Sequence, residues 1–167
     1  MSEVRWLSDD EQAAWRKLAG VFTLLPAGLD TQLQRDAKLT HFAYMVLAML
    51  SEAPGRSLRM SELAALCNGS QSRLSHLINK LEQRGWVRRE RAAEDGRGFV
   101  AVLTDAGYDK LAATAPGHVA QVRTLVFDAL TPQQVSQLGE ICGAILARVD
   151  PENSYPEPTH APQPPPS

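Results

Sequence analysis

The sequence predicts a mainly α-helical protein with a small β-structure in its middle, an α+β fold class. In segment 71–84, apolar residues recur every three or four positions, which favours an amphipathic helix. Two short stretches, 86–91 and 99–103, enclose a charged loop with two glycines and favour a β-hairpin. Helical apolar spacing on both sides, over 8–36 and 105–149, predicts long helices that flank this central unit.

The composition is that of one globular domain followed by a tail. The hydrophobic share of the 167 residues is 44%, enough to build a core. We expect a domain over 1–150 and, because seven of the 11 prolines lie in the last 17 residues, a disordered tail over 151–167. No apolar run approaches the roughly 18 residues of a membrane span, and no signal-peptide pattern is present. A cytoplasmic protein without membrane contact is expected.

Charge is distributed unevenly along a chain whose net charge is −2. Residues 56–97 hold 9 Lys/Arg against 5 Asp/Glu, whereas residues 1–55 hold 5 against 7 and residues 98–167 hold 3 against 7. A basic segment on an acidic body indicates a nucleic-acid reader, because phosphate contacts supply most non-specific affinity.

The first helix is predicted to begin after Ser8, which forms a capping box with Glu11. Pro26 is expected to kink or interrupt it, since proline lacks the backbone N–H. A second helix, from the cap Thr40 to Glu52, is apolar enough to be central and buried.

The central unit begins with a short strand at Leu58 and a short helix over 60–67. Asn68 and Gly69 form a turn, and Ser70 caps the helix 71–84, so the pair reads as a helix-turn-helix. Gly85 ends that helix, and the hairpin follows as a wing.

The third part of the chain is predicted to be two more helices. Thr104 caps the first, which is expected to kink at Pro116 rather than end there, and Thr131-Pro132 starts the second. Their apolar stripes, with 22–25 near the chain start, either form a two-fold dimer interface or close an intramolecular core.

Two runs of residues resemble the MarR family of bacterial transcriptional regulators. Asp95-Gly96-Arg97, followed by the apolar strand and 103–107 (Leu-Thr-Asp-Ala-Gly), is similar to that family's wing signature, and 81–87 is similar to its Leu-Glu-x-x-Gly turn. The resemblance covers about 8–149. It implies a winged helix over about 53–104, between dimerisation helices at 8–36 and 105–149, and a homodimer that reads a pseudo-palindromic operator in double-stranded DNA.

The resemblance also implies roles for matched residues. Arg97 would enter the minor groove, where negative potential attracts a guanidinium, and Asp95 would hold it; the alternative for Arg97 is a solvated hairpin charge. The start of the 71–84 helix would reach base edges, with Arg73 suited to guanine and His76 a DNA-facing residue or plain surface. The expected DNA-binding residues are Ser70, Gln71, Ser72, Arg73, Ser75, His76, Asn79, Lys80, Arg89, Asp95 and Arg97.

A small effector, often aromatic and anionic, binds family members between the dimerisation helices and the winged helix. The residues that could line such a cleft are Trp15, His41, Tyr44 and Met45, and the alternative is that they are packed core. Phe22 and Phe42 are expected in the core.

The predicted function is therefore a repressor that an effector releases from DNA. The alternatives are a redox sensor that uses Cys67 or Cys142, both otherwise expected as buried thiols, and a winged helix used for protein contacts. No enzyme is predicted, since the sequence holds no nucleophile–base pair, phosphate loop or metal spacing. No metal and no cofactor are expected.

Overall fold

The computed structural model describes residues 4–92, 98–151 and 155. It is mainly helical, with one small antiparallel sheet, as predicted. The elements in chain order are α1 (Asp9–Ala37), α2 (His41–Glu52), β1 (Ser57–Arg59), α3 (Met60–Leu66), α4 (Gln71–Gln83), β2 (Val87–Arg91), β3 (Phe99–Leu103), α5 (Asp105–Leu125) and α6 (Pro132–Val149). Short 3-10 turns occupy Pro54–Arg56 and Phe127–Ala129.

α1 begins at the predicted capping box, in which Ser8 and Glu11 exchange side-chain and backbone hydrogen bonds of 3.2 and 2.7 Å. The helix continues through Pro26, which contradicts an interruption there and leaves the kink as a prediction. Its buried residues all lie at Leu29 or later. Phe22, expected in the core, is 62% exposed, because the first half of α1 extends past the rest of the protomer.

α2 is the central helix, as predicted. Thr40 caps it by accepting from the amide of Ala43 at 3.0 Å. Val46, Leu47 and Leu50 have no exposed surface and lie in one core cluster with residues of α1, α3, α4, α5 and the sheet.

α3 and α4 form the predicted helix-turn-helix. Asn68, with a φ of 46°, and Gly69 make the turn, and the Ser70 hydroxyl accepts from the amide of Arg73 at 3.2 Å. The apolar face of α4 is buried at Leu74, Ile78 and Leu81 and half-buried at Leu77. Gly85 follows α4 with a φ of 71°, a conformation that glycine adopts without strain.

The sheet has the order β1-β3-β2, with both pairs antiparallel. Val87 pairs with Leu103 and Arg91 with Phe99, so the predicted hairpin is present. The inner end of β3 is buried, which fixes the hairpin to the core.

α5 starts at its predicted cap, Thr104, and continues through Pro116 to Leu125. α6 starts at the predicted cap, Thr131, which the structure also shows in a capping box with Gln134. Within the described chain α6 has no buried residue and exposes apolar side chains along its length. No helix among the described residues is long and apolar enough to cross a membrane.

Of the predicted tail over 151–167, all but Pro151 and Tyr155 lies outside the described residues, and so does the prediction of disorder.

Candidate nucleic-acid interface

The first turns of α4 present the polar face that the sequence predicted. Gln71, Ser72, Arg73, His76, Asn79 and Lys80 are exposed, and Ser75 is half-buried. Ser70 uses its hydroxyl to cap the helix, so that hydroxyl satisfies one of the free amides of the first turn. The remaining free amides and the helix dipole favour an anion here, such as a phosphate.

Arg73 leaves this first turn and stacks on an aromatic ring. Its guanidinium carbon lies 4.2 Å from the centre of the Phe42 ring of α2. No acidic side chain of the described chain pairs with Arg73. No described acidic side chain therefore compensates its positive charge at the exposed start of α4.

Arg89 is held differently. Its side-chain Nε and its backbone N–H both donate to the carboxylate of Glu82, each at 2.8 Å, and its Nη2 donates to Asn79 Oδ1. The structure thus brings together two of the predicted DNA-binding residues, Asn79 and Arg89. It also shows that the charge of Arg89 is largely compensated by Glu82.

The predicted wing residues Asp95 and Arg97 lie outside the described residues. The stem of the hairpin is described up to Ala92, whose N–H donates to the carbonyl of Gly98 at 3.3 Å. Gly98 has a φ of 93°, which is suited to glycine where the chain re-enters β3.

A groove of about 330 Å³ lies between α4, the start of α3 and the hairpin. It brings the predicted Gln71, Ser75 and Arg89 together with two residues that the sequence reasoning missed, Arg59 and Phe99. The excess of basic residues in segment 56–97 was the signal that could have pointed to Arg59. Nothing local marks Phe99, because an apolar residue on a hairpin strand normally faces the core.

The four effector candidates do not form one cluster within the protomer. Tyr44 is buried, His41 and Met45 are half-buried, and Trp15 is 55% exposed. The His41 amide donates to Asp30 Oδ1 at 2.7 Å, and Trp15 lies 15 residues before Asp30 on α1, about 22 Å along the axis. Trp15 is therefore far from the start of α2.

His118 of α5 is the residue that the sequence reasoning missed at this place. Its ring centre lies 4.2 Å from that of Tyr44 and 6.1 Å from that of His41. Burial lowers the pKa of His41, against the effect of Asp30, and burial followed by the charge of His41 lowers the pKa of His118. His118 Nδ1 is buried and has no hydrogen-bond partner in the described chain.

The cysteines lie in different environments. Cys67 is half-buried beside the core, and burial raises the pKa of its thiol to about 11. Cys142 is exposed, so the expectation of a buried thiol is wrong there. The reason is that no other part of the described chain buries a residue of α6.

The chain is similar in sequence and structure to proteins of the MarR family. The family model MarR_2, described as MarR family, matches residues 38–98. Sco3205, a MarR family transcriptional regulator from Streptomyces coelicolor whose structure is in complex with DNA, is 49% identical, with a TM-score of 0.80 over 90% of this chain and 98% of that one. AbsC, another MarR family regulator of S. coelicolor, is 41% identical, with a TM-score of 0.78 over 87% and 98% of the two chains.

A curated relative is more distant. The transcriptional repressor MprA of Escherichia coli (strain K12) is 28% identical over 107 residues, 64% of this chain. The match spans 60% of the length of that repressor.

Proposed function

Because this chain belongs to the MarR family of transcriptional regulators, we propose that it is a homodimeric repressor that binds a pseudo-palindromic operator in double-stranded DNA and is released by a small effector. The winged helix over about 53–104 would read DNA, and the helices at 8–36 and 105–149 would join two subunits. As a regulator of transcription it would act in the cytoplasm.

The observation that carries the DNA-binding proposal is the exposed polar start of α4 beside a β-hairpin, in the most basic segment of the chain. The N-terminal residues of such a helix reach base edges in the major groove. In support, the similar regulator Sco3205 has its structure in complex with DNA. We assign base contacts to Arg73 and His76, and phosphate contacts to Ser70, Gln71 and Lys80.

The groove residues refine this assignment. Because Glu82 already compensates the charge of Arg89, we expect Arg89 to order α4 against the hairpin more than to add a phosphate contact. Arg97 and Asp95 keep the wing roles that the family resemblance implies.

A dimer is supported by the apolar side chains that α6 and the first half of α1 leave exposed. Burying such surface stabilises association by roughly 25 cal/mol per Å² before the costs of association are subtracted. Two copies would place two α4 helices against half-sites about one helical turn apart.

For the effector we propose the start of α2, where His41 and Tyr44 meet His118 of α5 and Met45 follows on the same helix. Trp15 of the same protomer lies too far away to line this site. A small aromatic anion would find ring surfaces there, and a buried nitrogen, Nδ1 of His118, for a hydrogen bond.

The test of DNA reading is selection of bound duplexes from a random pool, followed by titration of the selected operator at fixed salt. We expect Arg97→Ala to weaken binding to all duplexes, because a minor-groove arginine contributes much of the sequence-independent attraction. Arg97→Ala binding as tightly as the wild type would contradict the wing assignment. Failure to enrich any sequence at physiological salt would instead favour a winged helix that contacts proteins.

The redox alternative is tested separately. The raised pKa of Cys67 keeps its thiol protonated near neutral pH, and a protonated thiol is a poor target for peroxide. DNA affinity that does not change after peroxide treatment would exclude sensing through either cysteine.

A further inference from the structure

Phe42 of α2 lies against the beginning of α4. A Cβ added to Gly69 would lie 2.9 Å from Cζ and 3.1 Å from Cε2 of the Phe42 ring. The same ring has the guanidinium carbon of Arg73 at 4.2 Å from its centre. One half-buried side chain from outside the helix-turn-helix therefore touches both the turn before α4 and the first arginine after it.

The contact matters because Arg73 has no charged partner among the described residues. Arg88 and Arg89 are paired with Glu90 and Glu82, whereas Arg73 has only the ring among the described residues. A free arginine samples many rotamers, and ordering it on DNA costs side-chain conformational entropy. Stacking on an aromatic face restricts the side chain beforehand and leaves its charge uncompensated.

We propose that Phe42 is a positioning residue for sequence reading: it holds Arg73 in the direction of the DNA bases, and its contact with Gly69 fixes the start of α4. The inference rests on the proposed DNA-binding function and adds to it a residue that touches no DNA. Phe42 acts through Arg73, so its removal changes the preference for the operator and leaves the sequence-independent attraction in place.

The experiment compares four forms of the full-length protein: wild type, Phe42→Leu, Arg73→Ala and the double variant. Leucine keeps an apolar side chain at position 42 but removes the ring face. Each form is titrated against the selected operator and against a scrambled duplex at one salt concentration. Tyr108→Leu is the matched control, because Tyr108 carries the guanidinium of Arg56 at 4.0 Å in a stack away from α4.

We expect Phe42→Leu to weaken operator binding about tenfold, from about threefold in each of two subunits, and to leave binding to the scrambled duplex unchanged. The slope of affinity against salt should stay the same, because no phosphate contact is lost. The double variant should bind like Arg73→Ala alone, and Tyr108→Leu like the wild type. Gly69→Ala, whose Cβ displaces the ring, should reproduce the loss of preference if Phe42→Leu fails to fold.

Three results would overturn the inference. Phe42→Leu could bind the operator like the wild type, or weaken both duplexes equally, or lose affinity by a factor that multiplies with that of Arg73→Ala. A wild-type protein that enriches no DNA sequence contradicts the proposed function itself, a result distinct from these three.

Discussion

Two arginines at the edge of α4 show how a residue's partners decide its use. Arg73 stacks on an aromatic ring, which does not neutralise its charge, whereas Arg89 forms an ion pair with Glu82 that compensates its charge. Both carboxylate oxygens of Glu82 accept a hydrogen bond, one from the Arg89 amide and one from its Nε, so this ion pair joins the middle residue pair of the hairpin to the last turn of α4. We therefore expect the two cations to differ in function despite their similar chemistry.

Glu82→Gln is expected to lower the free energy of unfolding by about 1 kcal/mol, because the half-buried Arg89 loses its charged acceptor. Urea unfolding at one protomer concentration measures the change. Glu90→Gln is the matched control, because the pair of Arg88 and Glu90 is more exposed, with side chains 57% and 50% accessible. This variant should change the free energy of unfolding by at most a few tenths of a kcal/mol. Equal losses in the two variants would contradict the structural role of Glu82.

His118 predicts a pH dependence of stability. Its pKa in the folded chain lies below the ordinary value of 6.5, so the unfolded chain binds a proton more readily. The stabilising contribution is complete above about pH 6.5. It decreases as the pH falls through that value and stops changing below the folded-state pKa.

The measurement is unfolding free energy against pH for the wild type and His118→Gln. The variant should lose less stability on acidification than the wild type does, while the effects of other groups, such as the raised pKa of Glu52, cancel in the comparison. Curves that fall in parallel would show that His118 remains solvated enough to titrate normally.

At the scale of elements, the hairpin and the start of α5 approach each other most tightly at Gly107, which has less room for a side chain than any other described glycine. A Cβ on Gly107 would lie 2.1 Å from the carbonyl oxygen of Trp86, an oxygen that also accepts from the Thr104 amide at 3.0 Å. Thr104 adds a hydrogen bond from its hydroxyl to the carbonyl of Gly85 at 2.6 Å. The end of α4, the hairpin and the start of α5 are thus joined by backbone contacts that leave no room for a side chain.

Gly107→Ala is expected to destabilise the protein by about 2 kcal/mol or more, because backbone atoms cannot move aside as a side chain can. Gly20→Ala in α1 is the control, since nothing lies within 4 Å of its added Cβ and alanine favours a helix by up to about 1 kcal/mol. Thermal unfolding of both variants distinguishes the two effects. A Gly107→Ala protein as stable as the wild type would mean that the junction can open without cost.

The elements themselves could be predicted because their signals are local. The caps at Ser8, Ser70 and Thr131 and the spacing of Leu74 and Ile78 each lie within a few residues of the structure that they specify. Contacts between distant residues leave no such signal.

The partners of the site therefore had to come from the structure. His118 meets Tyr44, and Phe42 meets Arg73, only after the chain has folded. Phe22 and Cys142 were placed wrongly for a related reason: apolar spacing shows that a face is to be covered, but not whether the same chain covers it.

At the scale of the molecule, the protomer is unevenly covered. Its core surrounds α2, while α6 and the first half of α1 expose apolar residues such as Phe22 and Ile141, the latter 57% exposed. Contiguous apolar surface of this kind is rare on monomers and marks an interaction face. The proposed homodimer accounts for it with a second copy of the same helices.

Ile141→Glu is expected to dissociate the dimer, because two charges would be buried together across a two-fold interface. Sedimentation at micromolar concentration measures the change in mass. Ser136→Glu is the control, since position 136 lies on the opposite face of α6 and should leave the dimer intact. An Ile141→Glu protein that sediments like the wild type would place the interface elsewhere.

The corner between α1 and α2 contacts α4 at both of its ends. Phe42 lies against its first turn, and at the far end Arg84 Nη1 donates to the carbonyl of Lys38, the C-cap of α1, at 3.3 Å. A helix held at two points cannot roll about its own axis independently of what holds it. We therefore expect any signal that reaches α1 or α2 to change the spacing and tilt of the two α4 helices in the proposed homodimer. The surface that each helix presents to DNA should stay the same.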